Sequence, residues 1–307
     1  MNLNFADLYQ IDSEASKKKI YRFNKTQINK LVIDFSYYPI DFKLFIEVNN
    51  YLSNINISIP TIFEINKEKH IIIMEDFGDK RYDKLISITD PRDILYNAVD
   101  SLIEIQNNSN LDTFTNFEKY NFDLFKEEIS EFVNFYLPLK NYKINYEDEF
   151  YSIWESEFNN IDFNWDTFVH KDFEFTNLIH LPDRKGHLKC GIIDFQNAFI
   201  GFSGWDLFSL LENPRIYFNQ KYNIELVEYF YRNTNQKISL KEFLVQYYFL
   251  NIARQTRIIG RWINLDSKNK NNNYLKFLNV TIKRLRNSLL HLNNRKITNL
   301  YEKILIE

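Results

Sequence analysis

The stretch that decides the fold is His170-Lys171-Asp172-Phe173-Glu174-Phe175-Thr176-Asn177, followed by Gly191-Ile192-Ile193-Asp194-Phe195-Gln196. The first segment has the spacing H-x-D-x-x-x-x-N, and the second is an apolar run that leads into an Asp. Phosphoryl-transfer enzymes have these spacings in their catalytic loop and in a later Mg²⁺-binding D-F-x element. The two elements in this order predict a kinase.

The chemistry of phosphoryl transfer gives three of these residues a role. A hydroxyl loses its proton as it attacks a γ-phosphate, so Asp172 is the predicted catalytic base. Mg²⁺ prefers oxygen ligands and keeps part of its coordination for phosphate, so Asn177 and Asp194 are the predicted metal ligands. ATP and Mg²⁺ are therefore the expected cofactors. The competing interpretation is that these residues only form turns and a strand-end cap; His170 is expected to be structural.

The composition predicts a folded protein without a nucleic-acid or membrane partner. Hydrophobic residues make up 45% of the 307 residues and aromatic residues 17%, which argues against disorder. A formal net charge of -3 gives no electrostatic reason to bind nucleic acid. No apolar stretch approaches the roughly 20 residues that span a bilayer, and residues 1–12 lack the apolar run of a signal peptide, so a cytoplasmic location is expected. Cys190 is the only cysteine, which excludes an internal disulfide.

Hydrophobic periodicity predicts a small sheet with one helix, followed by a mostly helical remainder. The predicted strands are 20–23, 31–35, 61–65 and 70–74, and the predicted helices are 39–51, 91–106, 120–137 and most of the chain after residue 205. A hairpin over 178–193 is expected to bring Asp194 beside the catalytic loop. The polar segment 75–79 reads as a hinge. The expected division is a nucleotide-binding lobe at 1–76 and a catalytic and substrate-binding lobe at 77–307.

This α+β arrangement resembles the bilobal protein-kinase-like fold, with a small β-rich N-lobe and a larger helical C-lobe. Within that fold it resembles the aminoglycoside phosphotransferase and choline kinase group, because the chain after Asp194 has no A-P-E-like segment. The resemblance implies a small-molecule acceptor.

Five segments, among them 120–137 with its similarity to an E-L-x-L-F helix, resemble the bacterial anomeric kinases of cell-wall recycling, which phosphorylate N-acetylmuramate and N-acetylglucosamine. Residues 193–198 carry the Asp-Phe-Gln run, and residues 13–22 are similar to the D-A-S-x-R-R-Y-x-R opening of that group. Residues 75–79 resemble its E-D-L-G-D hinge, and residues 254–260 resemble its late helix. The resemblance implies phosphorylation of the anomeric hydroxyl of an amino sugar.

The third strand departs from the general kinase plan. It presents Asp34 where a protein kinase has the Lys that pairs the α- and β-phosphates. No glycine precedes residue 78, so a Gly-rich phosphate loop is also absent from the start of the chain. The preceding hairpin is expected to compensate through Ser16, Lys18, Lys19 and Arg22, with a solvated basic turn as the alternative.

The resemblance also implies the remaining binding residues. At the hinge, Glu75 and Phe77 are expected to bind the nucleotide. Gln196 replaces the Gly of D-F-G and is expected to reach the substrate or a metal-bound water. Glu128 and Arg254 are expected to bind the sugar, the latter because an acidic lactyl group needs a cation.

Two other functions stay open at this point. An aminoglycoside or choline-type kinase has the same fold and would take an amino-alcohol substrate. A nucleotide-binding pseudokinase is suggested by the missing strand Lys, although the intact Asp172, Asn177 and Asp194 argue against it. The sequence leaves open the acceptor, the choice between ATP and GTP, and the oligomeric state.

Overall fold

The computed structural model describes residues 8–11, 18–23, 29–110, 117–140, 146–219, 221–268 and 273–305. The chain divides into two compact units. The first unit comprises Met1–Thr115, His170–Ala198 and Gln220–Thr234, and the second comprises Asn116–Val169, Phe199–Asn219 and Asn235–Glu307. The first unit continues through residues 76 and 77, where the sequence predicts a boundary between lobes, and that boundary stays a prediction.

The described residues form strands and α-helices in the following order along the chain. The strands in the described ranges are β1 (Leu8–Ile11), β2 (Lys19–Phe23), β3 (Lys30–Asp34), β4 (Ile62–Asn66), β5 (Ile71–Glu75), β6 (Thr167–Val169), β7 (Leu178–His180), β8 (Cys190–Ile192) and β9 (Phe199–Gly201). The α-helices there are α1 (Pro39–Leu52), α2 (Tyr82–Leu85), α3 (Pro91–Asn107), α4 (Phe122–Phe135), α5 (Tyr146–Asn159), α6 (Trp205–Leu211), α7 (Lys221–Asn233), α8 (Leu240–Lys268), α9 (Leu278–Leu292) and α10 (Arg295–Ile304).

The first unit contains an antiparallel sheet in the order β1-β2-β3-β5-β4. Its strands are rich in β-branched and aromatic residues, which favour a pleated, half-buried surface. One face of the sheet buries Val32, Ile71 and Ile73 against the partly buried Tyr21 and Phe23. The four strands predicted from periodicity are confirmed, and β1 is an addition to them.

Helix α1 follows β3 and packs its Phe42 and Phe45 side chains against Phe35, just after that strand. It begins at Pro39, where a missing N–H is tolerated and the fixed φ suits a helix. Its buried Phe45 lies 5.5 Å from Phe35 and 4.8 Å from Phe195, measured between ring centroids. Phe195 directly follows Asp194, so the helix anchors the segment that carries the predicted metal ligand.

The second unit is mostly helical and has an aromatic core. Trp154 of α5 lies 5.3 Å from Phe125 of α4 and 5.1 Å from Phe249 of α8, and all three side chains are buried. Helix α4 begins where Asn121 accepts a hydrogen bond from Leu124 N, a side-chain cap. Gly260 of α8 lies against the α4 backbone, where a side chain has no room. The helical predictions for 91–106, 120–137 and the region after residue 205 are confirmed, and α5 is an addition.

The sheet and the mostly helical remainder confirm the predicted α+β class. Among the described helices, none is both long enough and apolar enough to pass through a bilayer.

Candidate active site

The catalytic loop and the Asp194 segment lie side by side in the first unit. Strands β7 and β8 pair antiparallel, with Leu178 opposite Ile192, as the predicted hairpin requires. Just beyond the pair, Ile193 N donates to Asn177 O at 3.1 Å, and the buried ring of His170 bonds through Nε2 to Ile193 O at 3.1 Å. These contacts join the start and end of the loop to the strand that leads into Asp194. Burial lowers the pKa of His170, which fits a structural histidine.

The loop presents the Asp172 carboxylate in a fixed orientation. The Asp172 carbonyl accepts hydrogen bonds from Asn177 Nδ2 at 2.9 Å and from Glu174 N at 2.8 Å. Asn197 Nδ2 donates to Asp172 Oδ2 at 3.1 Å. Within the described residues, Asp172 Oδ1 accepts no hydrogen bond. Among the described residues, one carboxylate oxygen therefore has a hydrogen-bond donor and the other has none, and the Asn177 amide donates to the loop through its nitrogen.

The backbone is strained at both ends of this arrangement. Lys171 has φ 77° and Asp194 has φ 66°, which is the left-handed region that residues with a Cβ rarely adopt. Such strain persists only where surrounding contacts enforce it, and it is concentrated at functional sites. The strain therefore marks the same two segments as the sequence motif.

The Asp194 carboxylate binds the ammonium group of Lys18, the residue just before β2. Lys18 Nζ lies 2.7 Å from Asp194 Oδ1 and donates to Gln196 Oε1 at 3.1 Å. Gln196 Nε2 also donates to Asp194 Oδ1, at 3.1 Å. Burial alone would raise the pKa of Asp194, but the nearby Lys18 ammonium outweighs it and the pKa is lowered. Asp194 therefore stays charged, and its oxygen and that of Gln196 converge on one cation.

The four predicted residues of the first hairpin have different surroundings. The Lys18 side chain is 8% exposed beside Asp194, whereas Lys19 is exposed to solvent. Arg22 donates through Nη2 to Asp76 Oδ1 at 2.9 Å and through Nη1 to Asp79 at 2.8 Å, and its hydrogen bond to Asp76 raises its pKa. Ser16 lies outside the described residues. Of the described three, only Lys18 contacts a predicted metal ligand.

The predicted hinge is held by the β7–β8 connection. Arg184 Nη2 donates to Glu75 Oε1 at 3.0 Å, and its guanidinium lies 5.0 Å from the centroid of the Phe77 ring. The ring of Phe77 covers Gly191, where a Cβ would come within 2.7 Å of it. Gly191 is needed for this close approach, so the hinge and the strand before Asp194 pack as one piece.

Two thirds of the chain match the model of one protein family. The model of the phosphotransferase enzyme family matches residues 32–234, which include the catalytic loop, Asp194 and most of the sheet. The chain belongs to the phosphotransferase enzyme family. It is therefore a small-molecule kinase, as the sequence predicts.

A curated relative and solved structures agree with this assignment. The chain is 22% identical over 259 residues to an N-acetylmuramate/N-acetylglucosamine kinase from Caulobacter vibrioides, covering 76% of this chain and 67% of the relative. A choline/ethanolamine kinase family protein from Mesorhizobium loti has a TM-score of 0.62 at 10% identity, covering 97% of this chain and 92% of that one. The ADP-bound aminoglycoside phosphotransferase APH(2'')-Ib has a TM-score of 0.58 at 15% identity, covering 95% of each chain. These likenesses confirm the kinase-like fold.

The donor set of this phosphotransferase fits a hard cation such as Mg²⁺. Asp194 offers a charged oxygen that already binds an ammonium group, and Asn177 offers an amide oxygen on the adjoining loop. No group of three or more His, Cys, Asp or Glu side chains suited to a metal is found in the described ranges. Mg²⁺ keeps coordination positions for phosphate oxygens in kinase sites, so a sparse protein set suits it.

The two other predicted substrate residues belong to the second unit. Glu128 accepts a hydrogen bond from Arg257 Nη1 at 3.0 Å and another from Tyr120 Oη at 3.0 Å, so both of its carboxylate oxygens are engaged. Arg254 is 4% exposed on α8. Their assignment to the sugar stays a prediction.

Two residues of the site, Asn197 and Arg184, were not predicted from the sequence. Asn197 is part of the Asp-Phe-Gln-Asn run, but its partner Asp172 lies 25 residues earlier. Arg184 belongs to a polar turn, and its partner Glu75 lies 109 residues earlier. Only Asn197 lies in a recognisable motif, so the sequence carries a signal for Asn197 and none for Arg184.

Proposed function

We propose that this phosphotransferase is an ATP-dependent kinase that phosphorylates the anomeric hydroxyl of an amino sugar such as N-acetylmuramate or N-acetylglucosamine. The observation that carries the proposal is the similarity over 259 residues to a kinase of that name. The Asp-Phe-Gln run and the opening at residues 13–22 support the same subgroup. Its setting is then cytoplasmic recycling of cell-wall sugars.

Asp172 acts as the general base in this proposal. Its Oδ1 accepts the proton of the attacking hydroxyl, while the Asn197 hydrogen bond to Oδ2 sets the rotation of the carboxylate. A positioned base of this kind is worth roughly 10²-fold to 10⁴-fold in rate. Asn197 is thus a positioning residue, and Asp172 is the catalytic one.

Asn177 and Asp194 hold Mg²⁺, which neutralises charge on the phosphates when it is bound. The hinge at residues 75–79 binds the nucleotide base through Glu75 and Phe77. It is held in place by the ion pairs Glu75–Arg184 and Asp76–Arg22. Similar structures were determined with ADP and with GDP, so either purine is compatible with the fold. ATP is the donor we propose. Ser16 remains a predicted contact of the nucleotide, and the exposed Lys19 is left out of the contacts we propose.

Gln196, Glu128 and Arg254 are the proposed sugar-binding residues. Gln196 Oε1 and Nε2 contact Lys18 and Asp194, so it adjoins the reacting groups. The Glu128 carboxylate is oriented by its ion pair with Arg257. Arg254, which is buried on α8, is the residue proposed to pair with an acidic substituent of the sugar.

A second candidate function is an aminoglycoside or choline-type kinase. The structural likeness to proteins of both kinds favours it. Both candidates share the base and the metal ligands, so only the acceptor separates them.

A coupled assay that follows ADP production distinguishes the candidates. N-acetylmuramate and N-acetylglucosamine are expected to turn over, and aminoglycosides and choline are not. The matched control is the alditol of each sugar, which lacks the anomeric centre and is expected to be rejected. Phosphorus NMR should identify a 1-phosphate product.

The possible results separate the hypotheses. Equal turnover of sugar and alditol, or a 6-phosphate product, contradicts the anomeric assignment and leaves the kinase assignment intact. Turnover of an aminoglycoside or choline alone favours the second candidate. Nucleotide binding without turnover of any acceptor favours a pseudokinase.

A further inference from the structure

The end of β3 lacks the cation that protein kinases use to bind the α- and β-phosphates. In those enzymes it is a Lys on the third strand. Here β3 ends at Asp34, whose Oδ1 accepts a hydrogen bond from Ser36 N at 2.8 Å and another from the Ser36 hydroxyl. The carboxylate therefore closes the turn after β3, and in the strand register it pairs with the exposed Lys19.

A buried cation lies one strand away. Lys18 directly precedes β2, which pairs with β3, and its ammonium contacts Asp194 and Gln196. The ammonium is 5.8 Å from the ring centroids of both Phe35 and Phe45. A charged group is expensive to bury unless it is paired, so this position needs the Asp194 carboxylate.

The immediate neighbour provides an internal comparison. Lys19 carries the same charge one residue later, as the first residue of β2, and is exposed. General attraction of phosphate to a basic turn predicts equal roles for the two lysines. A specific site predicts a role for Lys18 alone.

We propose that Lys18 supplies, from the start of β2, the phosphate-binding cation that protein kinases carry on β3, and that its ion pair with Asp194 is the nucleotide-free arrangement. The proposal rests on the proposed use of a nucleotide as phosphate donor. It accounts for a kinase whose third strand ends in a carboxylate.

Three single variants test this assignment: Lys18→Met, Lys18→Arg and Lys19→Met. Affinity for ADP is measured by titration calorimetry with and without Mg²⁺, which needs no acceptor sugar, and the KM for ATP is measured with the sugar that turns over. Lys18→Met is expected to weaken ADP binding by about 10-fold to 100-fold, the range for one lost charge-assisted hydrogen bond. Lys18→Arg should stay within a few-fold of wild type, and Lys19→Met should equal it.

Thermal unfolding establishes whether each variant folds. If Lys18→Met does not fold, Lys18→Gln keeps a polar group at Asp194 without the charge and is expected to show the same loss of affinity. Wild-type ADP affinity in the folded neutral variant overturns the proposal, and so does an equal loss in Lys19→Met.

Failure of the proposed function is a separate result. A wild-type protein that binds neither ADP nor ATP refutes the proposed ATP-dependent function itself. A wild-type protein that binds nucleotide and phosphorylates its sugar, with Lys18→Met unchanged, refutes only the role of Lys18.

Discussion

Gly260 gives a stability prediction in which two effects of opposite sign compete. It lies within α8, where Gly→Ala normally stabilises a helix by about 0.8–1.0 kcal/mol. In this protein the added methyl group points at the backbone of α4. We expect Gly260→Ala to destabilise the fold.

The structure sets the size of the effect. An ideal Cβ on Gly260 would lie 2.2 Å from the carbonyl oxygen of Glu131 and 2.5 Å from Phe132 N. Ordinary contact begins at 3.4 Å, so the two helix backbones would have to separate by the difference between 3.4 and 2.2 Å, about 1.2 Å. Backbone cannot rotate away as a side chain tip does. Overpacking costs about 1–3 kcal/mol, and we expect its upper end to apply, which leaves a net loss of ~2 kcal/mol.

Urea and thermal unfolding measure the change in the free energy of unfolding. The matched control is Lys241→Ala, which is exposed in the first turn of the same helix and should change stability by no more than about 0.5 kcal/mol. A Gly260→Ala variant that is as stable as wild type, or more stable, would show that α4 and α8 are not in backbone contact and would refute the reasoning.

Three further outcomes concern the first unit. Asp172→Asn should lower kcat by ~10²-fold or more without changing ADP affinity. Asn197→Ala should lower kcat less, with the KM for ATP unchanged. If Asp172→Asn keeps more than a tenth of wild-type kcat, Asp172 is not the base. Gly191→Ala should displace the Phe77 ring, so we expect weaker ADP binding by calorimetry, and unchanged affinity would argue that the ring lies away from the nucleotide. Burial raises the pKa of the Cys190 thiol to about 12, so iodoacetamide at pH 8 should leave the folded protein unmodified. In urea the reagent should add once per chain, which mass spectrometry measures. Rapid modification of the folded protein would contradict the burial of Cys190.

The parts of the fold that the sequence predicted have local signals. The catalytic loop and the hairpin into Asp194 lie within 25 residues of one another, and their roles depend on spacing along the chain. Strand β1 was not predicted because it is four residues long at the sheet edge, and only its ends, Leu8 and Ile11, are aliphatic. Helix α5 begins with three acidic residues in its first turn, which weakens the apolar pattern.

The site was less predictable because its contacts join distant segments. The run Lys17-Lys18-Lys19 does not say which lysine points inward, since a shift of one residue in strand register exchanges the two faces. In the fold, Lys19 lies opposite Asp34 in the pairing of β2 with β3, and Lys18 contacts Asp194, and both are tertiary contacts. The same holds for Arg22, whose expected phosphate role has no counterpart in its observed ion pair with Asp76.

Ion pairs hold strand β2 near both of its ends. Lys18, just before the strand, binds Asp194, and Arg22, four positions later, binds Asp76 of the hinge. At about 3.3 Å per extended residue these anchors are ~13 Å apart along the chain. Under the proposed roles, the hinge that binds the base and the lysine that binds the phosphates are joined through β2, so the two halves of a nucleotide are expected to bind cooperatively.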